Sequence, residues 1–153
     1  MRRTTTIRGA ARLVAVGLAL SASACGGGSK TISKTDYLAR AKAVCQKGNQ
    51  TLTAASNAEL AKVPAGQKLS EAQIEDFVRK TVIPTIRDQV KQLQAIPPPK
   101  GEKSHVDEIY KALVKGLDDL DKNPKKLTDG SNVFAEADSL ANKYGISVCA
   151  TTG

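Results

Sequence analysis

The sequence predicts an all-α fold: a four-helix antiparallel bundle, its second helix kinked or broken at Pro84, closed by one disulfide. Three observations carry this expectation. Apolar residues recur at spacings near 3.6 in four segments, with no alternating strand pattern. Each segment is bounded by capping residues or breakers. Cys45 and Cys149 lie near the two ends of the helical stretch, where a bridge would close it.

The first helix is expected over residues 34–61. Tyr37, Ala41, Val44, Cys45, Leu52 and Ala55 fall on one stripe. Ser33 or Thr35 can cap its N-terminus, and Asp36 suits the positive end of the helix dipole. The run Lys62-Val63-Pro64-Ala65-Gly66 ends it. The second helix starts at Ser70, where Gln73 three residues on completes a capping box. Its stripe is Ile74, Phe77, Val78, Ile86, Val90 and Leu93. Pro84 lies inside it, removes one hydrogen bond and crowds the preceding turn, so a kink near Thr81 or two shorter helices are expected. Ile96-Pro97-Pro98-Pro99 ends the element in an extended segment. The third helix, residues 103–121, has the clearest amphipathic pattern: Val106, Ile109, Tyr110, Leu113, Val114, Leu117 and Leu120. A polar loop over 122–130 leads to the fourth helix, residues 132–144, and Gly145 is placed to cap it. The tail Ile146-Ser147-Val148-Cys149 then folds back toward Cys45. The core is aliphatic and alanine-rich, with two Phe, three Tyr and no Trp.

Residues 1–24 read as a targeting segment. Arg2, Arg3, Arg8 and Arg12 precede the apolar run Leu13 to Leu20, with no acid among them. That run is far shorter than the roughly 20 residues needed to span a bilayer. Small residues, Ser21-Ala22-Ser23-Ala24, lead into Cys25 and three glycines, as at a lipoprotein signal-peptidase site. The usual leucine three positions before the cysteine is Ala22 here. Two alternatives stay open. One is plain secretion, with cleavage after Ala24 and Cys25 a spare thiol; the other is a twin-arginine route suggested by Arg2-Arg3. Residues 25–33 then form the lipidated cysteine and a flexible Gly/Ser/Lys tether, and residues 34–149 the bundle. Two or three acyl chains would anchor firmly where one is marginal.

Three cysteines fit this division. One takes lipid and the other two, Cys45 and Cys149, pair under the oxidising conditions met on export. Closing a loop of about 100 residues is worth up to about 4.7 kcal/mol on the chain-entropy account. The charge of +8 is partly a property of the targeting segment. Four of the 23 basic residues lie before Cys25, so 19 basic and 15 acidic residues leave +4 for the rest. A mild, scattered basic excess steers weakly toward an anionic membrane or wall polymer. With no arginine-rich face and no aromatic platform, nucleic acid is not expected as a partner.

No catalytic, cofactor or metal site is expected. His105 is the only histidine and reads as an exposed residue in the first turn of the third helix. A zinc site of usual composition lacks its ligands. Asp119-Leu120-Asp121-Lys122-Asn123 begins like a calcium-binding loop, but Pro124 and Gly130 stand where glycine and a bidentate glutamate are needed. Asp118, Asp119 and Asp121 together oppose the dipole at a helix C-terminus, and the sequence offers no reason for them. Asn49-Gln50-Thr51 matches a glycosylation sequon by coincidence. Glu75 and Asp76 are spaced to pair with Arg79 and Lys80 on an exposed face.

Taken together, SASACGGG, the segment Asp36-Tyr37-Leu38 through Ala41 to Val44-Cys45, the Ile96-Pro97-Pro98-Pro99 run and the closing Tyr144-Gly145-Ile146-Ser147-Val148-Cys149 resemble a group of small actinobacterial cell-envelope lipoproteins. The likeness spans the chain after the targeting segment, in short pieces. It implies an exported, disulfide-closed helical domain and supplies no activity. The expected role is a non-enzymatic interaction or structural module on the extracytoplasmic face of the cell membrane. Its expected contacts are the membrane, through Cys25, and an envelope protein or polymer. One alternative is a carrier of a small apolar or lipid ligand between helices, motivated by the aromatic-poor core and the Pro84 break. A second is an enzyme acting on envelope polymers, which needs Asp118 or Asp119 to converge with a carboxylate from another helix.

Overall fold

The computed structural model describes residues 31–149. Within them lie α1 (Lys34–Leu60), α2 (Glu71–Phe77), α3 (Ile83–Gln94), α4 (Lys103–Lys122) and α5 (Ala135–Tyr144). The second predicted helix is thus divided, and α2 continues into α3 through a π-helical turn at Val78–Val82. Short 3-10 turns occupy Pro124–Leu127 and Ser147–Cys149. The division follows from Pro84. It has no N–H to give the carbonyl of Lys80, and its ring crowds that carbonyl, so the ordinary i→i−4 ladder fails there. The chain takes a wider register instead, and Ile83 N–H donates to Val78 O, five residues back.

The local capping signals form as expected. The Ser33 hydroxyl accepts from Asp36 N, and Ser70 and Gln73 make the reciprocal capping box. Gly145 takes the left-handed conformation, φ 103°, where a side chain would be strained. Its N–H and that of Ile146 then satisfy carbonyls of the last α5 turn. The segment over 132–144 begins its helix only at Ala135, because the Asn132 side chain accepts from Phe134 N and holds the chain in a turn first. The loop expected over 122–130 is partly ordered: α4 runs on to Lys122, and Asn123 caps the 3-10 turn behind it.

Pairings along each seam set the helix directions. Between α1 and α3, Gln89 Nε2 donates to Cys45 O (3.2 Å), and nearer the start of α1 Tyr37 reaches Leu93 O through the Tyr110 hydroxyl. Between α3 and α4, Tyr110 hydroxyl donates to Leu93 O (2.8 Å), and Arg87 reaches Asp118 (3.5 Å). Between α4 and α5, Lys115 meets Glu136 (2.9 Å) and Gly116 faces Phe134. Partner numbers fall as residue numbers rise across each seam, so neighbours are antiparallel and the order is up-down-up-down. Gly116 is required at its crossing: a Cβ there would lie 2.6 Å from the Phe134 ring and 2.7 Å from Val133 O.

One core runs through the bundle. Tyr37, Leu117, Leu120, Val78 and Cys45 are its most enclosed large side chains. Val114, expected on the apolar stripe of α4, is left exposed. The Cys45–Cys149 disulfide, Cα–Cα 5.0 Å, fastens the returning tail to α1 across 104 residues of sequence. At the lower end, Ile32 forms an isolated parallel bridge with Pro99. Among the described residues, no helix is long and apolar enough to cross a membrane. The expected targeting segment, Cys25 and most of the expected tether lie outside the described residues.

Candidate functional site

At the upper end, the C-terminal half of α1, the π turn, residues 126–134 and the returning tail surround an open groove of about 920 Å³. Its floor is Val82, Ile86 and Phe134, all buried. Its walls are Leu52 from α1, Phe77 ahead of the π turn, Val133, and Val148 from the disulfide-held tail, each half-buried. Leu127 forms an outer lip, 42% exposed. The rim is polar but uncharged, carrying Asn49, Thr53, Ser56, Asn57 and Asn132. Lys126 supplies the one charge among the described lining residues, and no acid lines the groove. Asp129 lies nearby and feels Lys126, but its carboxylate is held mainly by Ser131, whose N–H it accepts at 2.8 Å.

Sequence periodicity missed this groove. It marks which residues leave water, not which remain half-covered once the helices are packed. The one local signal is Pro84: the wider turn that it forces separates Phe77 from Val82, and both line the groove.

The three tyrosines converge at the opposite end, from α1, α4 and α5. Tyr37 packs edge-on against Tyr144, with ring centroids 5.8 Å apart. Its hydroxyl lies 2.7 Å from that of Tyr110, which in turn donates to Leu93 O. Tyr110 has a single proton to give, so Tyr37 is the donor between them. Burial pushes both phenols above their ordinary value of 10.0; for Tyr37, the bond to Tyr110 opposes the rise. Glu102 Oε2 is buried beside Tyr144 and finds no hydrogen bond of good geometry. Even so, the neighbouring Tyr144 hydroxyl and the Lys34 ammonium, 3.2 Å away, hold its carboxyl below the usual range. Lys34 Nζ also sits 4.4 Å over the Tyr144 ring. This cluster locks the first turn of α1 to α4 and α5, and offers no hydrogen-bonded base or nucleophile to a ligand.

The charged candidates are accounted for by packing. Arg79 donates to Asp121 O (2.9 Å) and reaches its carboxylate (3.4 Å). Arg87 lies 3.5 Å from Asp118 and 3.6 Å from Asp121. Two of the three acids at the C-terminus of α4, Asp118 and Asp121, are therefore met by arginines from the π turn and α3, which also suit the negative end of the helix dipole. Asp76 pairs with Lys80 as spaced (2.7 Å), but Arg79 turns to Asp121 instead of Glu75. Asp118 faces Arg87 rather than a second carboxylate. His105 is exposed on the first turn of α4. The Asn49 side chain is engaged with Val148 O (3.1 Å) and helps hold the tail. No cluster of metal-binding side chains occurs among the described residues.

Comparison with protein-family models, with curated proteins and with solved structures finds no match for this chain.

Proposed function

We propose that the chain is an extracytoplasmic lipoprotein, held on the outer face of the cell membrane by acyl chains on Cys25, and that it serves there as a non-enzymatic interaction module. The Cys45–Cys149 disulfide supports this reading most directly. It belongs to an oxidising compartment and uses two of the three cysteines. The third is left at the end of a basic-then-apolar segment, among small residues. Carboxylates tied to arginines and lysines around α4, and a histidine with no partner nucleophile in the sequence around it, favour a binding role over acid–base chemistry.

The test is intact mass and cell fractionation. The mature protein should carry diacylglycerol-sized additions at Cys25, lack two hydrogens for the disulfide, and sediment with membranes. Cys25→Ser should release it. A soluble protein with an unmodified Cys25 thiol sinks the proposal. A second reading, a carrier of a small apolar or lipid ligand, is favoured by the groove between α1 and the π turn.

A further inference from the structure

We propose that this groove binds a long-chain fatty acid, with the chain laid along Leu52, Phe77, Val133 and Val148 and the carboxylate at Lys126. The inference rests on the carrier reading and is independent of the anchor, because it concerns only residues of the folded domain. Three properties of the groove point to a single-chain anionic amphiphile. The first is size: about 920 Å³ lies within the roughly 300–1,000 Å³ common for sites that hold small molecules.

The second is the division of chemistry. The floor and walls are aliphatic or phenyl surface, while the rim offers neutral amides and hydroxyls. An acyl chain needs only the former, and a head group at the mouth can exchange water for the latter. The third is charge. A quarter of the chain's residues are charged, yet the described lining holds a single cation and no acid. Lys126 also borders an adjacent hollow with Asp119 and Glu136 and lies near Asp129, but it is the one charge on the groove's own lining, where a cation beside apolar surface complements a carboxylate and disfavours a cationic or zwitterionic head. A helix from a partner protein would be expected to meet charged residues on the rim that fix its register, and the rim carries amides and hydroxyls there instead. The π turn contributes by position, since Phe77 precedes it and Val82 ends it; such turns are frequent at functional sites.

The experiment uses the full chain carrying Cys25→Ser, exported with its disulfide formed, so that no acyl group of its own competes. Binding of palmitate and of hexadecanol is measured by displacement of a fluorescent fatty-acid analogue, below their aggregation limits. Sedimentation is followed in parallel. Palmitate should bind one per chain. Leu127→Asp, an exposed position whose change spares the core, should weaken palmitate by about tenfold or more, by placing a charge against the chain. Lys126→Glu should weaken palmitate by about fivefold and leave hexadecanol within about twofold, with melting temperature unchanged. Absence of palmitate binding overturns the proposal. So does a Leu127→Asp variant that binds as the parent does, an equal loss of both ligands on Lys126→Glu, or a dimer that Leu127→Asp dissociates. Acylation of Cys25 is read separately by mass, so failure here leaves the anchor proposal standing, and the reverse holds.

Discussion

Replacing Tyr110 by Phe should destabilise the bundle more than replacing Tyr37, although the two hydroxyls share one bond. Tyr37 is 0% exposed and gives its proton only to Tyr110 at 2.7 Å. Tyr110→Phe therefore strands a buried hydroxyl, at a cost of about 1–3 kcal/mol. It also removes a donor from Leu93 O, which keeps the Ile96 N–H at 3.0 Å. Tyr37→Phe removes one bond and strands nothing, since Tyr110 still donates to Leu93 O; its cost should be about 0.5–1.5 kcal/mol. In the double variant no hydroxyl is left stranded. Its cost should fall short of the sum and come close to that of Tyr110→Phe alone. Both changes keep the rings, so packing against Tyr144 is common to all four proteins. Urea unfolding with the disulfide intact is the assay. With a slope of about 2 kcal/mol/M, a 2 kcal/mol loss moves the midpoint by about 1 M. Additive costs, or a larger cost for Tyr37→Phe, would refute the assigned direction of the proton.

Other parts of the fold give equally direct expectations. Replacing Cys45 and Cys149 by Ala should cost about 2–4 kcal/mol by freeing a closed segment of 104 residues in the unfolded chain, and hydrogen exchange should rise first in residues 145–149. Gly116→Ala should cost about 1–3 kcal/mol in the same urea assay, because its methyl meets Phe134 and the Val133 carbonyl at under 3 Å. Raising the pH beyond 10.0 should destabilise the protein. The unfolded chain ionises its tyrosines there, whereas burial raises Tyr37 and Tyr110 above that value in the fold, so their contribution is complete below 10.0 and is lost above it. Tyrosinate absorbance should then appear together with loss of helix; ionisation well before unfolding contradicts the burial argument.

Much of the architecture was written locally. Ser33, the Ser70–Gln73 box and Gly145 each act within one turn of a helix, so residue type and spacing suffice to find them. The aliphatic stripe of α4 needs only its own period. Pro84 announced a break, because the lost donor and the crowded carbonyl are properties of the residue itself. The form of the break was not legible. Whether the chain kinks, splits or widens depends on what its flanking residues pack against, and burial of Val78 and Val82 on either side of the turn favours a helix that continues with one wider turn. Arg79 is a second case: spacing offered it Glu75, and tertiary structure gave it Asp121, since the π turn brings it beside the C-terminal end of α4.

By itself the sequence determined the helical class and the stops and caps, which follow from short-range chemistry, and it led to the Cys45–Cys149 pair once Cys25 was set aside as the expected lipid site. Tertiary structure alone decided that three tyrosines from three helices meet, that Asp118 and Asp121 of α4 face arginines, and that an apolar groove stays open beside α1. Each of these depends on the register and lengths of helices far apart in the chain. Those are settled by how whole side-chain surfaces interlock, and no single segment encodes them.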